Sequence, residues 1–86
     1  MPPLTIIWDD GEGGNVEHVA QHGLTPDEVD DVLLDSGSTF DRSRQSGLPA
    51  AFGRTGTGRY IVVVFEEIDP DTVYPVTAYD VPEPKA

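Results

Sequence analysis

Four arginines, Arg42, Arg44, Arg54 and Arg59, stand in one stretch of the chain with no acidic residue among them. A guanidinium offers N–H donors in a planar fork that fits a phosphate, so this run is where phosphoryl chemistry would sit. Trp8, Tyr60, Tyr74 and Tyr79 add rings that either stack on unpaired bases or pack across strands with their polar tips wet. His18 and His22 are four residues apart, a spacing that places both imidazoles on one helix face as a metal pair or as a general base. No third ligand stands at a motif spacing, and His22 directly before Gly23 also reads as a cation at a helix C-terminus. No metal and no cofactor is expected. The run Gly53-Arg54-Thr55-Gly56-Thr57-Gly58-Arg59 has the glycines of a phosphate-cradling loop. It lacks the Lys-Ser/Thr pair and joins two strands, which makes it a hairpin turn. Asp9-Asp10-Gly11-Glu12 has the acids of a calcium loop without its spacing and reads as a solvated turn.

The rest of the chain opposes anions. Sixteen acidic residues against five basic give 86 residues a net charge of −11. The stretch from Arg42 to Arg59 carries +4 and the remainder −15, so charge is segregated along the sequence. Such a field repels nucleic acid and anionic lipid at long range and favours basic partners. The arginines are therefore either an RNA-phosphate patch or the internal partners of the acidic second helix and of Glu66 and Glu67. With no cysteine there is no disulfide framework, thiolate nucleophile or zinc ribbon, which suits a reducing compartment. The first residues lack a basic leader, and no stretch approaches the ~20 apolar residues of a membrane span. The expectation is a cytoplasmic protein with no membrane contact.

The elements that must position these residues follow from local pattern. Leu4-Thr5-Ile6-Ile7-Trp8 is β-branched and aromatic, a first strand stopped by Asp9-Asp10-Gly11. Val16, Val19 and Ala20 recur at helical spacing before His22-Gly23, with Gly23 as C-terminal cap. Thr25-Pro26-Asp27-Glu28 is a capping box that starts a second helix, with Val29, Val32 and Leu33 inward and Asp27, Asp30 and Asp31 outward. Residues Ser36 to Pro49 lack periodicity and read as a long loop. Ala50 to Arg54 reads as a strand, and Thr55-Gly56-Thr57-Gly58 supplies two glycines able to take positive φ in a hairpin. Tyr60 to Phe65 is apolar on both faces, the mark of a central strand. A turn at Asp69-Pro70-Asp71-Thr72 leads to a last strand, Val73 to Val81, where Pro75 confines it to an edge or an irregular start. The expected fold is α+β in the order β-α-α-β-β-β, a small antiparallel sheet with two helices on one face. It forms a single domain over residues 1–81 with a flexible tail over 82–86.

Taken in order, Ile7-Trp8-Asp9, a helix ending in His22-Gly23, a second helix, Gly53-Arg54-Thr55, a Gly-Arg before an all-apolar Val-Val-Phe strand and a final strand resemble the BrnT family over roughly residues 6 to 79. The resemblance implies a RelE-like fold and a toxin of a type II toxin–antitoxin pair with a small antitoxin as partner. It also implies metal-independent RNA cleavage in which the ribose 2′-hydroxyl attacks and basic side chains stabilise the phosphorane and the leaving group. Trp8, His22, Arg54 and Arg59 match the family pattern position by position. On this reading Arg54 and Arg59 are the catalytic phosphate contacts, while Arg42, Arg44 and Trp8 are RNA-binding residues.

This chain departs from that pattern at named positions. It has Gly47-Leu48-Pro49 where the family carries basic residues entering the second strand, and Thr77-Ala78-Tyr79 where an arginine follows Ser-Ala. Tyr79 thus occupies an arginine position, and a phenol donates a hydrogen bond to phosphate without balancing its charge. Two functions from different classes remain. One is a ribonuclease toxin; the other is a non-catalytic acidic interaction module that keeps the fold and binds a basic protein surface.

Overall fold

The computed structural model describes residues 4–42 and 47–83. Seven elements follow one another: β1 (Thr5–Ile6), α1 (Asn15–Ala20), α2 (Pro26–Leu34), β2 (Thr39–Arg42), β3 (Pro49–Arg54), β4 (Tyr60–Asp69) and β5 (Thr72–Asp80). The strands form one sheet in the order β1-β5-β4-β3-β2. The α+β class and the pair of helices are as expected, while the sheet is five-stranded and mixed rather than purely antiparallel.

Two differences account for this. Strand β2 lies inside the stretch read as a loop and pairs antiparallel with β3, Thr39 opposite Phe52 and Arg42 opposite Pro49. All four of its residues are exposed, so it has no apolar alternation to betray it. It is held instead by its neighbours, with the Phe40 ring meeting the Phe65 ring edge-on at 6.3 Å. At the other edge β1 runs parallel to the start of β5, Thr5 donating to the Asp71 carbonyl at 2.7 Å and Ile7 to that of Val73 at 2.9 Å. The β1 ladder ends there, two residues before Pro75, so the proline's missing N–H falls where β5 has no outer strand beside it among the described residues.

The helices cover one face. Val19, Leu24, Val29, Val32 and Leu33 pack on Ala51, Ile61, Val63, Phe65, Val73 and Ala78, with Leu4, Ile6 and Trp8 at the margin. Each fully buried aliphatic side chain here contributes about 1.5–3 kcal/mol by leaving water. The opposite face holds a smaller cluster, Ala50, Val62 and Val64 with Leu48, Phe52 and Val81 against it. Residues 61–65 of β4 are thus buried from both sides, as their unbroken apolar run requires. Beyond them β4 continues as Glu66 to Asp69, exposed and irregular in register.

The helix ends are built as their sequences dictate. Thr25 Oγ1 accepts from the Glu28 amide at 3.3 Å while Glu28 Oε1 accepts from the Thr25 amide at 3.2 Å, closing the capping box. After α1 the Gly23 amide donates to Ala20 and the Leu24 amide to Val19. Gly23 takes φ +74°, the left-handed residue that such a C-terminus needs. Asn15, at the start of α1, is buried and bridges three segments. Its amide donates to the carbonyls of Ile7 and Pro75, both at 2.9 Å, and its Oδ1 accepts from the Asp9 amide at 2.7 Å.

Candidate functional site

The β3–β4 hairpin carries Arg54 at its entry and Arg59 at its exit. Thr55 donates to the Arg59 carbonyl at 2.7 Å, Gly58 to that of Thr55 at 3.0 Å, and the Arg59 amide to Thr55 Oγ1 at 3.1 Å. Gly58 takes φ +90°, and Gly56 has no positive φ, so one glycine and not two serves the turn. The hairpin tip is tied to α2. Thr57 Oγ1 donates to Glu28 Oε2 at 2.6 Å and the Gly56 amide to Asp31 Oδ2 at 2.8 Å. The acids of α2 are therefore partly committed to the fold, Glu28 being only 8 % exposed.

Arg59 is consumed by its own chain. Its Nε donates to Asp80 Oδ1 at 3.0 Å and Nη2 to Asp80 Oδ2, a two-pronged pair with the end of β5. Nη1 donates to the Gly23 carbonyl at 2.6 Å and Nη2 to that of His22 at 3.2 Å, which places a cation on the C-terminal carbonyls of α1. Glu28 Oε2 lies 3.8 Å from Nη1 as well. Of the five N–H donors a guanidinium owns, these bonds leave one for any ligand. The Asp80 carboxyl is held below its ordinary range chiefly by the hydrogen bond from Arg59, which outweighs the opposing effect of burial, with that cation's field adding to the lowering. The Arg59 pKa is raised in turn, chiefly by Asp80.

Arg54 is more exposed. Its Nη1 donates to the Gly58 carbonyl at 3.0 Å and its Nη2 to Glu83 Oε1. Tyr79 sits opposite Val62 on β5, exposed, with its ring 5.8 Å from that of His22. His22 in turn stacks on His18 at 6.4 Å, and among the described residues no group of three potential metal ligands forms. Arg54, Arg59, Tyr79 and His22 are thus gathered at one end of the sheet. Two guanidinium groups there meet three carboxylates, those of Glu28, Asp80 and Glu83, and Asp31 is bonded to the hairpin tip.

The other residues singled out in the sequence lie elsewhere. Arg42 is opposite Pro49, at the far end of β3, so about 17 Å of strand at ~3.4 Å per residue separates it from Arg54. Its Nη1 donates to the Gly47 carbonyl at 2.6 Å. Arg44 lies outside the described residues. Trp8 packs at the core margin and donates through Nε1 to Asp30 Oδ1 at 2.9 Å, so it holds β1 to α2. Asp30 is pushed above the ordinary carboxylate range by burial, with Asp27 and Asp31 adding to the rise and the Trp8 bond opposing it.

No family model, curated protein or solved structure matches this chain. The chemistry must be read from the side chains alone. What they offer at the hairpin end is a closed set of ion pairs with Tyr79 and His22 on its flank. Asp80 and Glu28 are the residues sequence reasoning did not single out there. Only Glu28 carried a local signal, as the last residue of a capping box.

Proposed function

We propose that this protein is a non-catalytic, acidic protein-interaction module on a BrnT-like scaffold of RelE type. The observation that carries the reading is the state of Arg59, four of whose five N–H donors are taken up by Asp80, His22 and Gly23. Cleavage of RNA without a metal needs cations free to meet charge as it develops. A phosphate entering here would have to displace Asp80 and Glu83 from the arginines and approach Glu28 and Asp31 as well. The net charge of −11 acts in the same direction over longer distances. The partner that suits such a surface is a small basic protein, which for a toxin–antitoxin relative would be encoded beside it.

The second reading, a metal-independent ribonuclease, draws on the contact of Tyr79 with His22 and on the exposure of Arg54, which lies across β4 from them. Controlled expression separates the two. A harmless protein that leaves cellular RNA intact fits the interaction module. Growth arrest with RNA cleavage that disappears in Arg54→Ala and Tyr79→Phe would establish the nuclease instead.

A further inference from the structure

The helix layer is shorter than the sheet it covers. α2 ends at Leu34, while β4 and β5 run on to the turn at Asp69 to Asp71. A cleft of about 320 Å³ opens there, floored by Leu33, Phe65 and Val73 and walled by Leu4, Phe40 and Pro49. At ~30 Å³ per water this volume is about ten waters, room for one or two side chains. The Phe40 ring leans on Phe65 yet remains 57 % exposed, and Ile68 and Leu34 are exposed nearby in the chain. A phenylalanine left in water beside an unfilled apolar cleft forgoes burial that a partner could supply.

Among the described residues the charged side chain lining the cleft is that of Glu67, and Asp69 and Asp71 flank Pro70, which lines it too. Arg42, opposite the lining residue Pro49, has its guanidinium engaged with the Gly47 carbonyl. A second copy of this chain would bring the same carboxylates and another net charge of −11 to the contact. β2, which carries Phe40, is the outermost strand of the sheet, so its far side has no strand beside it among the described residues. A segment arriving there has both a strand edge and a pocket to meet.

Resting on the interaction-module reading, we infer that this cleft is the docking site, and that its occupant is a lysine- or arginine-flanked apolar segment of a basic partner protein. The apolar side chain fills the space beside Phe40, and the flanking cations meet Glu67, Asp69 and Asp71. Apolar filling supplies the anchor and the acidic rim supplies orientation and rate of encounter.

Three synthetic peptides of equal length test this against the isotopically labelled, full-length protein. The first alternates leucine with lysine, the second replaces each leucine by serine, and the third replaces each lysine by glutamate. The first is expected to bind and to shift the backbone resonances of Leu33, Phe40, Phe65 and Val73. The serine and glutamate peptides are expected to bind at least about 10-fold more weakly, and Phe40→Ala to weaken the first by about 30-fold. Phe40 is on an exposed edge strand, and Glu67→Lys offers a second variant that leaves the apolar floor intact, expected to weaken binding and flatten its salt dependence. Shifts confined to the acidic face of α2 would overturn the cleft assignment while leaving the module reading standing. So would equal binding of the leucine and serine peptides, no binding of any peptide, or a concentration-dependent dimer of this chain closing over Phe40. Cleavage of RNA by the same preparation would remove the module reading itself.

Discussion

Asn15 is the point at which the fold is most open to quantitative test. Its side chain donates to the carbonyls of Ile7 and Pro75 and accepts from the Asp9 amide, and it is 3 % exposed. Asn15→Ala removes all three bonds. A net intramolecular hydrogen bond is worth ~1 kcal/mol, and a buried carbonyl left without a partner costs ~1–3 kcal/mol. The bond to Pro75 is buried and the other two are half-buried, so the loss comes to about 3 kcal/mol. For a chain of this length total stability is of order 4–13 kcal/mol at ~0.05–0.15 kcal/mol per residue. At ~4–8 °C per kcal/mol the melting temperature should fall by roughly 12–24 °C. Asn15→Asp keeps the shape and the acceptor to Asp9 but turns an oxygen toward two carbonyls, so its deficit at neutral pH should exceed that of alanine. The deficit should shrink in acid, where a protonated carboxyl restores one donor. Circular dichroism melts at pH 7 and pH 4 read both variants. A loss below about 1 kcal/mol for alanine, or an aspartate variant as stable as wild type, would refute the reasoning.

Arg59→Ala should lower the melting temperature distinctly more than Arg54→Ala, and Arg59→Lys should not restore it, because an ammonium cannot hold Asp80 in two prongs and reach the His22 and Gly23 carbonyls together. Asp80 has a folded pKa below its unfolded value of ~3.9, so its contribution is present above that pH and is lost as pH falls through the folded value. Asp80→Asn should accordingly blunt the acid limb of a stability–pH profile. Asp30 has the opposite sign. Its folded pKa lies above the unfolded one, so folding favours its protonated form, an advantage present at low pH and lost as pH rises through the folded value. Asp30→Asn, which can still accept from Trp8, should raise the melting temperature at pH 7 by a small amount, solvent screening the charge, and the gain should vanish in acid. At Gly53 an added Cβ would stand 2.5 Å from Ser38 Oγ and 3.2 Å from Val32 Cγ1. Ser38 is itself bonded to the Val32 carbonyl at 2.6 Å, so Gly53→Ala should cost about 1–3 kcal/mol in urea titration.

The parts of the fold that were legible in the sequence are those whose signals are local. The Thr25 to Glu28 capping box, the Gly23 terminus and the unbroken apolar run of β4 each follow from a few adjacent residues, and each stands in the structure. Strand β2 was hidden because its residues are all exposed and its reason for being a strand, the β3 edge and the Phe65 ring, lies elsewhere in the chain. The parallel β1–β5 pairing was hidden likewise, being a contact between residues 5 and 72. At the candidate site the sequence supplied the right cations without their partners. Arg59 and Asp80 are far apart in the chain, as are Arg54 and Glu83, so their pairing could not be read from spacing. Nor could the separation of Arg42 from Arg54, since a run of like charges in sequence is laid out along β3 rather than gathered.

The central claim is that Arg42, Arg54 and Arg59 are committed to the protein's own carboxylates and carbonyls and do not form a phosphate-binding surface. Fluorescence anisotropy of a labelled single-stranded RNA, titrated with the protein at low salt where phosphate contacts are strongest, tests it most directly. The expected result is a flat titration, unchanged in Arg54→Ala. Saturable binding that weakens with salt and is lost in Arg54→Ala, with that variant melting as the wild type does, would contradict it.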